Sequence, residues 1–537
     1  MTLKRTMWGC ACAMLVAGCG ATDDLDEATA GSVSEELVAG AGIGVTERVS
    51  YASAAWPTTA WQSETASAAF QDFEYVAYNA EDTNTSHVTY PQRVEVDGSG
   101  RRFVDRIVCA GTSQMGRSMW DPTDEDGWFV GRLPVPAGYA VLWGDPALAT
   151  WEGKWWISAL ASPSAYFATR ANWPPNAKSC FRTSNYAPSG LPSGFGQLSA
   201  TPLAAACVMA TTLETMGAPT TTCFRRQNGV NSSTGTDFLD GGSMAGSTAA
   251  LYAAYVDSTT KTLAMYRKPT GGGAWAPVAG DNAITATSHP VLVGTTSHTG
   301  IWLVTANNAA LSLRIHTANG FTAPISVSGS FSKADITVAG GRVIRGGRGL
   351  AAVVAPNPNM LTPAVWVAFE SLSVSANGSV RKKQIVLVKC TTSCSLVNTF
   401  GGVDPLTGRG SNAFMPALAL AYKIVNGVST PIVGMTYWTD RAQATHNVVM
   451  EQIAYHANGG FRSTSAITAP QAVCPGGGAN YWGDYDGMFV KNNATTVPTF
   501  HRSFTDSSEL TCDTTTRANL DYRSQNQHVS NVYYRVP

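Results

Sequence analysis

The sequence is poor in charge. Only 14% of its 537 residues are Asp, Glu, Lys or Arg, against roughly 25% in an average soluble domain. That excludes coiled coils and long charged helices, and with 44% hydrophobic residues the chain is no disordered polyelectrolyte. The 36 basic and 37 acidic residues leave a net charge of −1. No phosphate-seeking surface follows from that balance, so nucleic acid is not an expected partner. Histidine is scarce too: the eight present show no H-E-x-x-H and no paired spacing, which removes the zinc hydrolases. No C-x-x-C, G-x-S-x-G, P-loop or dinucleotide fingerprint occurs. The Gly-rich runs GGSMAG and CPGGGAN fall between predicted strands, away from any helix start, so they are not read as phosphate loops.

Long apolar runs are absent as well. The longest candidate, MWGCACAMLVAG after Lys4 and Arg5, is shorter than the ~20 residues a spanning helix needs and reads as an export signal. It ends in Val16-Ala17-Gly18-Cys19, which resembles a bacterial lipobox. The resemblance implies cleavage before Cys19 and lipidation of its sulfur. An ordinary signal cleaved near Ala17 or Ala21 is the alternative. Gly20 follows the cysteine where an inner-membrane lipoprotein would carry Asp, so the sorting pattern implies the outer membrane or cell surface. Residues 1–18 are thus the expected signal peptide, 19–60 a lipidated tether that begins acidic, and 61–537 the folded domain.

With Cys10 and Cys12 removed and Cys19 lipidated, eight of the 11 cysteines remain. An even number in an exported chain predicts disulfides. Short loops favour Cys390–Cys394, Cys207–Cys223 and Cys474–Cys512, leaving Cys109–Cys180.

What the chain has in quantity is glycine, 52 residues, with 27 prolines. They punctuate a repeat: a small polar lead, an apolar strand, a turn, a second strand, then a Gly-rich turn. GDPALATWEGKWWISALAS from Gly144, LDGGSMAGSTAALYAAYVD from Leu239, SHPVLVGTTSHTGIWLVT from Ser288 and NAFMPALALAYKIVNGVSTPIVGMTYWTDR from Asn412 share it. A last copy opens at Tyr481, and weaker ones lie near Ala68 and between Val343 and Ser371. No helix-period stretch intervenes. Each unit suits one four-stranded sheet that cannot bury both faces alone, so the predicted fold is an all-β propeller of seven blades, with six as alternative. A set of β-sandwiches would not require the same grammar to recur.

These residues also carry a family resemblance. Phe414-Met415-Pro416-Ala417-Leu418-Ala419, followed by Tyr437-Trp438-Thr439-Asp440-Arg441, resembles a blade of the bacterial sialidase-like propellers. Gly483-Asp484-Tyr485-Asp486-Gly487-Met488, followed by His501 and Thr505-Asp506, resembles their closing blade. The family's Asp-box, S-x-D-x-G-x-T-W, is never intact; Lys268 to Trp275 (KPTGGGAW) is a degenerate copy, and His456 to Phe461 a shortened one.

Ligands of such folds bind where inner strands converge at the axis. The resemblance implies three arginines holding a substrate carboxylate, a Tyr nucleophile beside a carboxylate, and an Asp acid. Candidates are Arg345, Arg348, Arg441 and Arg502 for the clamp, Tyr485 for the nucleophile, and Asp240 and Asp440 as carboxylates. In a strand Asp484 and Asp486 share one face while Tyr485 points to the other, so Tyr485 needs a partner from another blade. The two aspartates read either as caps of a strand-start turn or as ligands of a structural calcium ion. Trp151, Trp155, Trp156 and Trp482 pack between blades or, if exposed, form stacking platforms. The resulting expectation is a monomeric, lipid-anchored propeller that recognises polysaccharide or glycoprotein glycans and has the parts for glycoside cleavage. The alternative is a non-catalytic adhesion or protein-interaction propeller.

Overall fold

The computed structural model describes residues 45–48, 62–70, 73–81, 95–96, 102–103, 106–114, 129–132, 141–152, 154–162, 180–186, 220–223, 239–257, 260–273, 275–295, 297–355, 363–425, 427–441, 447–456, 461–468, 470–474, 482, 486–491, 498–506 and 528–535. Met1–Gly40 and Ala41–Pro537 are separate units, and every described residue belongs to the second. Residues 1–18, expected as a signal, Cys19, expected as the lipid anchor, and Cys207, Cys512, Asp484 and Tyr485 lie outside the described residues.

The second unit is an all-β propeller. Among the described residues, seven antiparallel sheets of four or five strands follow one another along the chain. Their innermost strands are Gln62–Phe70, Val141–Trp151, Leu239–Gly246, Val291–Val293, Leu350–Ala355, Ala413–Val425 and Met488–Lys491, numbered here as blades 1 to 7. Each inner strand touches the next, and that of blade 7 returns to that of blade 1, closing a ring.

Closure corrects one boundary read from sequence. Among the described residues, the C-terminal stretch supplies three strands of blade 7: Met488–Lys491, Thr499–Asp506 and His528–Arg535. The blade's fourth, outermost strand is Val45–Arg48, paired antiparallel from Val45↔Tyr533 to Arg48↔Ser530. Part of the expected tether is therefore blade. The physical reason is the ring itself, since a strand from the far end of the chain fastens first blade to last and covers an open edge.

Low charge follows from the stacking. In blade 5, Ala364, Trp366 and Ala368 face the core shared with blade 6, while Val365, Val367 and Phe369 face the core shared with blade 4. Both faces of a middle strand are dry, so such strands read as continuous apolar runs, and Ala250–Asp257 is buried at every position. Trp366 is 2% exposed, and burial of a side chain of that size contributes about 3 kcal/mol. Trp151, Trp156 and Trp482 are likewise buried, so these three are packing groups and no platform.

Cys390–Cys394 is disulfide-bonded, as its short loop predicts, and Cys474 is also in a disulfide. The backbone register sets Cys180 directly opposite Cys223, a juxtaposition that differs from both pairings expected for those two residues.

Candidate functional site

The axial site is built by a backbone device repeated around the ring. Asp145, Gly241, Gly349 and Met415 occupy equivalent inner-strand positions in blades 2, 3, 5 and 6, and all four have left-handed φ, between 49° and 66°. Register shifts mark bulges there, between Gly144 and Ala147, Asp240 and Ser243, and Phe414 and Ala417; blade 1 has one between Ser63 and Ala66. A bulge re-aims the residues that follow it. Here Pro146, Gly242, Leu350 and Pro416, each one residue on, line a central cavity of about 180 Å³ to which all seven inner strands contribute. A left-handed non-glycine costs roughly 1–3 kcal/mol and persists only where its surroundings hold it. At Asp145 and Met415 the surroundings are visible: Asp145 Oδ2 accepts from Gly241 N at 2.7 Å, and Met415 N donates to Glu370 Oε1 at 2.7 Å.

Similar bonds tie successive blades. Leu292 N donates to Ser243 Oγ at 2.9 Å between blades 3 and 4, and Arg348 Nη2 donates to Pro290 O between blades 4 and 5. Gly487 N donates to Thr65 Oγ1 at 3.2 Å across the closing seam, where Thr65 Oγ1 donates in turn to Ser503 O at 2.8 Å. Between blades 6 and 7 the tie is Arg502. Its Nη1 donates to Thr436 O and Oγ1 at 2.9 and 2.6 Å, and its Nη2 to Met415 O and Asp486 Oδ2 at 2.8 and 2.6 Å.

These bonds decide what each candidate side chain can reach. Arg348 and Asp486 line the cavity, from blades 5 and 7. Arg502 has no exposed surface and stands in the wall behind Asp486. The Asp486 carboxylate is 2% exposed; Oδ2 takes Arg502 and Trp438 Nε1 (3.2 Å), whereas Oδ1 has no protein partner. Ser67 lines the cavity from blade 1, and its Oγ is buried and without a protein partner. Arg345, Asp440 and Arg441 are absent from the lining. Asp440 caps the start of the blade 6 inner strand, accepting from Asn412 N (2.6 Å) and Nδ2 (2.7 Å), with Lys382 Nζ at 3.6 Å. Arg441 is exposed beyond the end of Val428–Thr439. The backbone of Asp240 pairs with Val256 at the start of the blade 3 inner strand.

The calcium reading needs Asp484, which lies outside the described residues; of the pair, Asp486 faces the Arg502 guanidinium. A tyrosine beside a carboxylate does exist elsewhere: Tyr437 donates to Glu451 Oε2 at 2.7 Å on the blade 6 face turned to blade 5. Burial first, then the Glu451 charge, pushes that phenol well above its usual range, so it is held as a neutral donor. The recurring bulge was not recognised in the sequence, although its signature is there. Gly144-Asp145-Pro146-Ala147, Asp240-Gly241-Gly242-Ser243 and Phe414-Met415-Pro416-Ala417 each set a turn former and then a small residue at the bulge of an inner strand.

No protein-family model and no curated protein sequence matches the chain. Solved structures align with it at low similarity. An arginine-to-alanine mutant of AofleA from Arthrobotrys oligospora shares 8% identity, over 74% of this chain and 91% of that one, with TM-score 0.38. Trypanosoma rangeli sialidase in complex with sialic acid shares 8% identity, over 75% of this chain and 56% of that one, with TM-score 0.35. Aleuria aurantia lectin in complex with alpha-methyl-L-fucoside shares 11% identity, over 68% and 89%, with TM-score 0.33. At these scores the likeness decides nothing about a ligand, which has to be read from the cavity's own residues.

Proposed function

We propose that the axial cavity binds a single sugar unit of a glycan, and that the protein is an exported, lipid-anchored glycan-binding propeller. The observation that supports this is the convergence of Arg348, Asp486 and Ser67 on the lining of one cavity. Sugar hydroxyls both donate and accept, so they suit a site that offers an acceptor-only carboxylate, a donor-only guanidinium and a hydroxyl. Leu148, Leu292, Leu350 and Pro416 supply apolar wall for the C–H faces of a ring. At about 180 Å³ the cavity is smaller than the ~300–1,000 Å³ pockets of drug-sized ligands, which favours one residue of a chain over a long oligosaccharide.

Binding is favoured over cleavage. A glycosidase uses two carboxyl groups roughly 5–9.5 Å apart, and among the described lining residues Asp486 is the one carboxylate. The test is a glycan array with the purified protein, followed by calorimetry on any hit and a reducing-end assay on the same glycan. Arg348→Ala is expected to weaken binding at least tenfold, while Arg441→Ala leaves it unchanged. No retained glycan, or binding indifferent to Arg348, sinks the reading. Export and anchoring rest on Val16 to Cys19; Cys19→Ala is expected to move the protein from the membrane to the soluble fraction.

A further inference from the structure

We infer that blades 6 and 7 enclose an internal hydration site, a cluster of bound water molecules that continues inward from the axial cavity behind Asp486. It shares Asp486 with the glycan reading but is argued from the atoms of the seam alone.

The observation is a concentration of buried polar atoms that no protein group satisfies, all in one seam. They are Asp486 Oδ1, Arg502 Nε, both amide atoms of Gln452 and the phenol oxygen of Tyr534. The residues are contiguous. Arg502 bonds Asp486 and Thr436, and Thr436 is the cross-strand partner of Gln452. Gln452 alternates with Met450 and Ala454, which lie in the apolar cluster shared with blade 7, so it faces the same seam. Tyr534 stacks on Phe500 with ring centroids 5.5 Å apart. Gly434, one alternation beyond Thr436, is where an added Cβ would stand 2.4 Å from Phe500, which fixes the level of blade 6 against blade 7.

Gln452 is 2% exposed, Tyr534 2% and Arg502 0%, so bulk solvent does not reach them. A dry seam would leave five polar atoms, one on a carboxylate and one on a guanidinium, without partners. Each such atom is costly, and native interiors satisfy nearly all of them with protein or with ordered water. The chemistry is complementary to water: Arg502 Nε–H and Gln452 Nε2 donate, Gln452 Oε1 and Asp486 Oδ1 accept, and the Tyr534 hydroxyl does both. A buried water makes two to four such bonds, so two or three molecules would suffice.

The test exploits the opposite signs of a dry and a wet seam. Gln452→Met removes the amide at nearly constant volume, and Tyr534→Phe removes one hydroxyl. If water bridges them, each substitution lowers the melting temperature, and the double variant loses less than the sum because the second breaks a network already broken. A neutral or raised melting temperature in either variant overturns the inference, and so do additive losses, which would mark separate packing defects. A crystal structure of the unmodified protein decides it directly. Ordered solvent within 3.5 Å of at least two of the five atoms is expected, and continuous apolar contact with no such density overturns it.

Discussion

Arg502 Nη2 stands 2.6 Å from Asp486 Oδ2, with both side chains withdrawn from solvent. The pair links the wall between blades 6 and 7 to the carboxylate that lines the axial cavity, so removing either partner strands the other. Arg502→Met is expected to cost about 3–5 kcal/mol, the usual loss when one member of a buried ion pair is deleted. Adding Asp486→Asn to that variant should recover part of the loss. Urea denaturation measures both, and a loss below about 1 kcal/mol for the single variant would contradict the structural role given to Arg502.

Gly241 tests the bulge. Its φ is +66°, and a Cβ there would lie 2.1 Å from His289 Cδ2 in the next blade. Gly241→Ala combines left-handed strain with overpacking and is expected to cost about 2–5 kcal/mol. Gly271 has φ +77° but nothing within 4 Å of an added Cβ. Gly271→Ala should therefore lose only the backbone part, about 1–2 kcal/mol. Equal losses at the two positions would remove the packing argument.

His316 gives the fold an acid-side dependence. It is buried between Tyr252 and Phe321, with ring centroids at 5.5 and 4.8 Å. Burial first, and then the Arg267 charge, holds its pKa below the ordinary histidine value. The unfolded state therefore binds the proton more readily, and stability is present in full above about pH 6.5 and declines as pH falls through and below it. His316→Phe should flatten this part of the stability curve between about pH 7.5 and 5. An unchanged slope in the variant would refute the assignment.

The Cys390–Cys394 bridge joins cross-strand partners on the third and fourth strands of blade 5. It closes a very short loop, so its loss is expected to cost only about 2 kcal/mol. Replacing both cysteines by alanine should lower the denaturation midpoint and leave the cooperativity of unfolding intact. Loss of cooperativity would instead show that blade 5 depends on the bridge to fold.

Much of the blade architecture was legible in order of appearance. The strand pairs beginning at Gly144, Leu239, Ser288 and Asn412 are inner and second strands of blades 2, 3, 4 and 6, or begin within three residues of them. They could be read because a strand buried on both faces and closed by glycine turns has a local signature that neighbours along the chain repeat. The outer strand Val45–Arg48 could not, since VTER carries no apolar run and is a strand only because the His528–Arg535 edge, more than 480 residues away, offers it hydrogen bonds. The site was less legible than the fold. Arg348 and Arg502 are both arginines beside inner strands, yet one lines the cavity and the other is sealed in its wall.

By itself the sequence determined the class, an all-β chain of repeated sheets with little charge, because strand period, glycine spacing and apolar composition are local properties. The tertiary structure alone decided which of its charged and polar side chains gather: Arg348, Asp486 and Ser67 at the axis, Arg502 and Gln452 behind it, Asp440 and Arg441 elsewhere. Those encounters depend on how the blades are rotated about a common axis and on bulges in the inner strands of blades 1, 2, 3 and 6. Nothing in the spacing of the chain encodes the distance between residues on different blades.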